Sequence, residues 1–427
     1  MFKPPQNPPR RIPQEINSQM LVRSRMPELD TLRGVASVAV VLYHLFYWAR
    51  DMSPFTPVQR RFYSLFAPGQ FGVNLFFVLS GFLITGILLD SKNRADYYDR
   101  FYYRRALRIL PAYYFTLCLV AIFALSSRGF LLMSAIYCPN LSGLFGIALS
   151  YPVLWSLGVE EHFYFLWPVA AQTLKKSYLL WLSIAILMVS PVSRYLAHVH
   201  AMRVPGNGEY GYYTWNNMDG LALGALIAQL LRKPNWGTRE AGKLAGAMLL
   251  LAVLMTAVGY PGILTRRTAI GEALQEVPWN LACGALLCVF LILGISRWKN
   301  LLIPRPLTFF GRISYGLYLY HLLFFYLYAW AFRRLALGTV LPAGQWAQTW
   351  WRALFVGATA VCFSYLSREY LEEFFLKLKD TPPKVLIPGN SFFRRSGVDL
   401  TENSGAEFEQ STLHDSAVKS EQHRPSE

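Results

Sequence analysis

Charged residues are scarce in this chain. Only 15% of its 427 residues are Asp, Glu, Lys or Arg, and 54% are hydrophobic, whereas about a quarter of the residues in a soluble globular chain are charged. That shortage excludes an ordinary soluble enzyme. The high apolar content also excludes a disordered chain, which cannot bury enough apolar surface to fold. The composition instead indicates a protein whose surroundings are largely apolar.

Cysteine and acidic residues are also few. The five cysteines form no C-x-x-C pair and lie mostly in apolar segments, which is typical of small buried residues, so we expect no metal site. Basic residues outnumber acidic ones by 41 to 25. They fall in short clusters between apolar runs, as in the loops of membrane proteins, and not on one face as in nucleic-acid-binding domains. We expect membrane lipids, and no nucleic acid, as partners.

Long apolar runs are what the sequence has in abundance. A helix needs about 20 apolar residues, and at least about 17, to cross the hydrocarbon core of a bilayer. We therefore predict an all-α polytopic membrane bundle of about ten transmembrane helices. The predicted spans lie near 33–49, 71–89, 109–125, 159–174, 178–197, 217–231, 244–260, 278–296, 313–332 and 350–370.

Lysine and arginine clusters predict the orientation of these helices. Such clusters mark cytoplasmic loops, and here they follow alternate runs and the basic N-terminus. Ten spans with both termini in the cytoplasm of a multi-pass cell-membrane protein satisfy this pattern. The clusters include Lys92, Arg94 and Arg100 after the second run, Lys175 and Lys176 after the fourth, Arg232 and Lys233 after the sixth, and Arg297 and Lys299 after the eighth.

Three segments are expected to lie outside the spans. Residues 130–158 are interrupted by prolines and polar residues, so we expect a non-spanning or re-entrant stretch on the outer side. Residues 1–27 are rich in Pro and Arg, which predicts a disordered cytoplasmic tail without a cleaved signal peptide. Residues 372–427 are polar and are expected to be a second, largely disordered cytoplasmic tail. The transmembrane domain is then 28–371.

The first predicted helix carries two ionisable residues, Arg33 and His44. Eleven residues correspond to about 1100° of rotation, or three turns plus about 20°, so both side chains lie on one helix face about 16 Å apart along the axis. Asp30 lies within pairing distance of Arg33. An ionisable group within a membrane helix is a functional hypothesis by default, although headgroup anchoring by Arg33 and a structural hydrogen bond from His44 remain the alternative.

Polar residues on the second and third spans are candidates for substrate contacts. Asn74 and Ser80 must find partners inside the bundle, and Asn74 is as consistent with packing as with a substrate. Arg104, Arg105 and Arg108 precede Pro111, which we place in the first turn of the third helix. Beside a helix N-terminus these arginines suit the phosphates of a donor such as a coenzyme A thioester. A cytoplasmic loop is the alternative interpretation.

Two later segments hold the remaining candidates. The segment WSLGVEEHFYFLWP contains Trp155, Ser156 and Glu160, and Glu160 either complements the helix dipole or orients His44, as an acid orients the base of a triad. In the ninth run, Ser314, Tyr318 and His321 share one face. They form either a packing network or the wall of an acceptor groove.

These motifs together resemble the membrane-bound acyltransferase-3 family, which includes O-antigen O-acetyltransferases. The resemblance covers about residues 28–371. It rests on ELDTLRGVASVAVVLYH, FFVLSGFLIT, YYRRALRILPAYY, WSLGVEEHFYFLWP and SYGLYLYH, in the family's order and spacing. It implies transfer of an acyl group, often acetyl from acetyl-CoA, to hydroxyls of glycans, lipids or small molecules. Acyl-CoA is then a co-substrate, and no bound cofactor is expected.

The resemblance also assigns roles by position. Arg33 and His44 match the family's R-x10-H pair, in which His44 resembles the catalytic residue, and Arg104 and Arg105 match its donor-side basic motif. Trp155, Ser156, Leu157 and Glu160 match its W-S-L-x-x-E motif, and Ser314, Tyr315, Leu317, Tyr318 and His321 lie on its late-helix motif. One departure is that Leu322 and Leu323 stand where relatives often have proline.

The leading hypothesis is therefore an integral-membrane O-acyltransferase. His44 would act as general base or, as an alternative, as a transient acyl carrier, and Arg33 or Glu160 would orient it. A transporter or flippase that uses Arg33, His44 and Glu160 as a proton relay is the competing function. Transporters usually contain paired repeats, and this sequence shows none.

Overall fold

The computed structural model of the protein describes residues 21–23, 26–48, 56–199, 210–259, 268–334 and 345–378. Within these ranges the regular elements are helices. In chain order they are α1 (Pro27–Leu42), α2 (Pro57–Ser64), α3 (Gly72–Asp90), α4 (Tyr97–Ile122), α5 (Arg128–Ala135), α6 (Leu154–Thr173), α7 (Lys176–Val199), α8 (Thr214–Asn217), α9 (Asp219–Leu230), α10 (Thr238–Gly259), α11 (Ala269–Leu274), α12 (Val277–Gly294), α13 (Arg305–Arg334), α14 (Gln345–Leu366) and α15 (Glu373–Lys377).

Local sequence signals explain where several of these helices begin. Pro27 opens α1, and Glu28 and Asp30 lie in its first turn, where they complement the helix dipole. Thr56 and Gln59 form a capping box at α2. Ser127 caps α5 by accepting a hydrogen bond from the backbone of Phe130.

A multi-pass membrane protein, as the sequence predicts, is confirmed. In the described part of the chain six helical stretches are long and apolar enough to cross a membrane: Pro27–Trp48, Pro57–Asp90, Tyr97–Ile122, Lys176–Val199, Thr238–Gly259 and Ala269–Gly294. Helices α6, α13 and α14 have 20, 30 and 22 residues but a more polar composition. The predicted span 217–231 forms only the 12-residue helix α9. The count of ten spans and the cytoplasmic termini remain predictions.

The interrupted segment 130–158 contains only short helices before α6 begins. Helix α5 has 8 residues and the following 3₁₀ helix, Pro139–Phe145, has 7. At about 1.5 to 2.0 Å per residue each is far shorter than a bilayer core. This agrees with the expected non-spanning stretch.

The edges of the folded domain differ from the predicted tail boundaries. Leu21 is fully buried, and the guanidinium of Arg23 donates a hydrogen bond to the carbonyl of Gly294 at 3.0 Å, so ordered structure precedes residue 28. After α14 the chain continues as a π-helix, Ser367–Glu372, and then as α15. Glu372 is buried, so it belongs to the bundle and not to a tail. The tail segments 1–20 and 379–427 lie outside the described residues.

Small residues let two pairs of helices approach backbone to backbone. A Cβ atom on Gly81 of α3 would lie 1.9 Å from the carbonyl oxygen of Leu221 in α9. On Gly311 of α13 it would lie 1.9 Å from the carbonyl oxygen of Asp30 in α1. Neither position has room for a side chain, so glycine is required at both for the helices to pack this closely. A cluster of buried apolar residues from α1, α3, α9, α10 and α12 surrounds these contacts.

Contacts between loops bring one end of several helices together. Arg232, after α9, pairs with Asp90 at the end of α3 at 2.7 Å. Lys92, after α3, donates a hydrogen bond to the carbonyl of Leu174 at the end of α6 at 2.8 Å. We call this the basic end. The other ends of α3, α6, α9 and α12, together with the C-terminal end of the first span, surround the larger of the two cavities described next.

Candidate active site

His44 lies where the first span changes its helical geometry. The α-helix ends at Leu42 and continues as a π-helix, Tyr43–Trp48. Single turns of π-helix are rare and are frequent at functional sites. The 3.6-residue period that predicts a shared face for Arg33 and His44 therefore stops just before His44.

The imidazole of His44 has a second histidine as its partner. Its Nδ1–H donates to the carbonyl of Val40 at 2.9 Å and faces Nε2 of His321 at 3.3 Å. The Nδ1–H of His321 donates to the carbonyl of Leu317 at 2.9 Å. Because each carbonyl can only accept, both neutral rings carry the proton on Nδ1. Nε2 of His44 therefore keeps its lone pair and can accept a proton.

His44 lines a cavity of about 230 Å³, which we call the carboxylate cavity. Among the described residues of its lining, the charged side chains are Asp219, Glu272, Glu276 and Arg194. Aromatic and amide side chains form much of the remaining wall, and they are Tyr43, Trp48, Gln70, Phe71, Asn74, Phe77, Trp155, Tyr212, Asn217, Gln275 and Tyr318. Aromatic rings and convergent polar groups of this kind suit a polar organic ligand.

The bundle contains a second cavity, of about 100 Å³. We call it the arginine cavity, because Arg33, Arg105 and Arg108 line it against a single Glu160. The guanidinium carbon of Arg105 lies 3.5 Å from the ring centroid of Tyr164, a cation–π contact. Three guanidinium groups in one recess suit an anionic ligand.

The two cavities share three wall residues, Val73, Phe77 and Tyr318. The hydroxyls of Tyr318 and Ser156 are 2.6 Å apart. The rings of Tyr318 and His321 have centroids 6.0 Å apart, and those of His321 and His44 are 4.9 Å apart. The histidine pair therefore lies beside the wall at which the two cavities meet.

The placement of the third-span arginines is a correction. Helix α4 begins at Tyr97, so Pro111 lies inside it and not in its first turn. Arg105 and Arg108 consequently face the bundle from within a helix and do not lie beside a helix N-terminus. Arg104 does not line the arginine cavity. The high density of charge in this stretch is typical of a cytoplasmic loop. In the structure Arg105 and Arg108 instead line a polar cavity inside the bundle.

The predicted orientation of His44 by Glu160 or Arg33 is also wrong. Glu160 accepts a hydrogen bond from the hydroxyl of Ser80 at 2.9 Å and lines the arginine cavity. Arg33 pairs with Asp30 at 2.7 Å, as predicted, and lines the same cavity. Both ring-nitrogen contacts of His44 go elsewhere, to Val40 and His321. Sequence separation hid this pair, because 277 residues divide the two histidines.

The remaining predicted residues fall on one cavity or the other. Trp155 and Asn74 line the carboxylate cavity, and Asn74 also donates a hydrogen bond to Asn280 at 2.9 Å, so it both packs and faces the cavity. Ser156 and Ser314 line the arginine cavity, where the hydroxyl of Ser314 donates to the carbonyl of Gly311. No group of three or more metal-ligating side chains converges in the described ranges.

The acidic groups of the larger cavity were not among the predicted site residues. Asp219 forms an ion pair with Arg194 at 2.9 Å, and both are almost fully buried. Glu272 and Glu276 had no motif to mark them. Arg194 did carry a signal, because it is an ionisable residue in the apolar run 178–197, and that feature alone is a functional hypothesis.

Known proteins resemble this chain over its transmembrane part. It is 30% identical over 335 residues to the peptidoglycan O-acetyltransferase OatA of Listeria monocytogenes, covering 70% of this chain and 49% of that relative. It is 27% identical over 326 residues to the O-acetyltransferase OatA of Staphylococcus aureus, covering 69% and 50%. The chain thus spans about half the length of these curated relatives. No solved structure matches it.

The family assignment rests on a longer match. Residues 26–369 match the acyltransferase domain of the acyltransferase-3 family. This range contains the histidine pair, both cavities and every residue that lines them. The chain therefore belongs to the acyltransferase-3 family.

Proposed function

We propose that this protein is a plasma-membrane O-acyltransferase that moves a short acyl group, acetyl in the simplest case, from acyl-CoA to a hydroxyl of a glycan or related sugar. Its family supports acyl transfer, and relatives named as O-acetyltransferases support a glycan acceptor. One observation carries the proposal. An arginine-lined cavity and a carboxylate-lined cavity meet beside a histidine whose Nε2 can accept a proton.

The arginine cavity is the proposed donor side. Acyl-CoA carries phosphate groups, and guanidinium groups bind phosphate with charge-assisted hydrogen bonds. The cavity is smaller than the roughly 300–1,000 Å³ typical of pockets for drug-sized ligands, so only part of the donor would enter it. The basic end would face the cytoplasm, where acyl-CoA is found, in keeping with the positive-inside rule.

His44 is the proposed general base. The acceptor hydroxyl oxygen attacks the thioester carbonyl carbon while Nε2 of His44 takes the hydroxyl proton. When the tetrahedral intermediate collapses, the carbon–sulfur bond breaks and the coenzyme A thiolate leaves. The thiolate then accepts the proton that Nε2 took from the acceptor hydroxyl, so His44 ends the cycle neutral. His321 would hold the Nδ1–H of His44 through its own Nε2 and stabilise the imidazolium, the task that the acid performs in a triad.

A transfer assay tests the proposal. The protein is purified, placed in liposomes and supplied with radiolabelled acetyl-CoA and a panel of sugars, and the His44→Ala variant is compared with the wild type. Loss of a general base costs about 10²- to 10⁴-fold in rate, so we expect the variant to fall to the uncatalysed background. His198→Ala, at a histidine of α7 that lines neither cavity, is the matched control and should keep the wild-type rate.

Two different experimental results would contradict the proposal. A folded His44→Ala variant that transfers acetyl at the wild-type rate would remove His44 from the mechanism. Movement of an unmodified sugar across the liposome membrane in the absence of any thioester would favour the transporter alternative.

A further inference from the structure

Among the described residues that line the carboxylate cavity, Glu272 is an acidic side chain without a polar partner. Glu272 is only 7% exposed and lines the cavity. In the described part of the chain, no hydrogen-bond donor or cation pairs with its carboxylate. A ligand in the cavity could therefore supply the missing counter-charge.

The other acidic residues of the cavity differ from Glu272. Asp219 is neutralised by Arg194, whose guanidinium also donates to the carbonyls of Asn216 and Ala273. Glu276 accepts a hydrogen bond from Asn74 at 3.3 Å and stands at the N-cap of α12, where the helix dipole favours negative charge. The one cationic side chain in the described lining is therefore already engaged, and Glu272 faces the cavity alone.

The surroundings of Glu272 suit an organic cation better than a metal ion. Within the described residues no three metal-ligating side chains converge, and a divalent cation held by proteins generally takes several such ligands. The rings of Trp155 and Tyr212, with centroids 5.2 Å apart, form an aromatic wall of the same cavity. Such rings stack on the apolar faces of sugars and also attract ammonium groups.

We propose that Glu272 binds a protonated amine on the acceptor. The acceptor is then a hydroxyl compound with a free amine, such as an amino sugar whose nitrogen is not acylated. This inference rests on the proposed function in one respect, which is that the bound amine compound is called the acceptor of the acyl group. An amine held protonated by Glu272 has no lone pair with which to attack a thioester. Transfer therefore goes to a neighbouring hydroxyl, and the product is an O-acyl and not an N-acyl compound.

Sugar binding in the absence of acetyl-CoA tests the proposed contact between Glu272 and an amine directly. The full chain in lipid nanodiscs is titrated with D-glucosamine, N-acetyl-D-glucosamine and D-glucose, and the signal is the fluorescence of Trp48 and Trp155 in the cavity wall. We expect glucosamine to bind at least about tenfold more tightly than the other two, as one charge-assisted contact allows. Glu272→Gln should remove this preference, and Glu369→Gln, a change at an exposed glutamate, should leave it intact.

Several results would overturn the inference. They are equal binding of the three sugars, absence of saturable binding, or a glucosamine preference that survives in Glu272→Gln. If that variant does not fold, Glu272→Asp keeps the charge and should keep the preference, and the wild-type titration alone decides the matter.

Comparison with the transfer assay separates the two proposals. Efficient acetyl transfer to neutral sugars with no preference for an amine would contradict the role of Glu272 and leave the acyltransferase proposal standing. A clear amine preference without transfer from acetyl-CoA would contradict the acyltransferase proposal and leave the role of Glu272 standing.

Discussion

The two cavities that meet at Val73, Phe77 and Tyr318 differ in the sign of their charge. Among the described lining residues, the arginine cavity has three guanidinium groups against one carboxylate, and the carboxylate cavity has three carboxylates against one guanidinium. The arginine cavity thus favours anions, and the carboxylate cavity favours polar or cationic groups. A single chain holds both beside one pair of histidines.

This difference shows how the bundle would keep two substrates apart. A phosphate-bearing donor is repelled from the carboxylate cavity, and a cationic acceptor is repelled from the arginine cavity. The two ligands would therefore come together only at the shared wall, where the histidine pair lies. In the low-dielectric interior of a bundle such discrimination by charge is stronger than it would be in water.

Among these predictions, the largest loss of activity is expected when the histidine pair is broken. In His321→Leu the Nδ1–H of His44 keeps only the carbonyl of Val40, and we expect kcat to fall about 100-fold, within the range for acid–base catalysis. His321→Gln offers a carbonyl oxygen in the place of Nε2 and should recover much of the loss. Steady-state kinetics of both variants checks this. Equal activity of the two variants would mean that His321 only fills space.

Removal of one guanidinium should separate the two cavities kinetically. Arg105→Ala is expected to raise the KM for acetyl-CoA about 30-fold, since a hydrogen bond to a charged group contributes roughly 1.5–3 kcal/mol. The KM for the acceptor should stay unchanged, because Arg105 lines only the arginine cavity. Arg60→Ala, at an exposed arginine, is the control. A parallel rise in both KM values would contradict the assignment of separate ligands.

A substitution in the aromatic wall of the carboxylate cavity should affect the acceptor and not the donor. Trp155→Ala should raise the KM for the acceptor about tenfold through the loss of ring contact, which contributes about 1–3 kcal/mol in comparable stacking. The KM for acetyl-CoA should not change. Isothermal titration with each ligand separates the two effects. If acetyl-CoA binding weakened instead, the roles of the two cavities would have to be exchanged.

The smallest effect is expected at Tyr318, one of the three residues that line both cavities. Tyr318→Phe removes only the hydroxyl that contacts Ser156 and leaves the ring in place. We expect roughly a fivefold loss of kcat, near the net contribution of one neutral hydrogen bond, with little change in either KM. Ser156→Ala should give a similar loss, and the double variant should add little more. Fully additive losses would show that the two hydroxyls act independently.

Much of the candidate site was predictable from single helices. Arg33, His44 and the pairing of Arg33 with Asp30 follow from one stretch of sequence, because ionisable residues stand out in an apolar run and residues three apart share a helix face. The arginines of α4 were identified correctly, but their position was predicted wrongly. Hydropathy places a charged stretch outside the membrane unless an internal polar cavity is known to exist.

The partners of these residues could not be predicted in the same way. His321 stood out within its own motif, but no local rule joins it to His44, and none joins Asp219 to Arg194. Glu272 carries no local signal at all. Its importance arises only because α11 places it on the same cavity as His44, where no residue in the described part of the chain pairs with it.

The sequence by itself determined that the protein is a helical membrane bundle and which polar residues stand inside apolar runs. These properties depend on composition and on the helical period, and both are local along the chain. Only the tertiary structure decided which histidine faces His44, on which cavity each charge lies, and which carboxylate has no counter-ion among the described residues. Those facts depend on distances between residues far apart in sequence, and packing alone sets such distances.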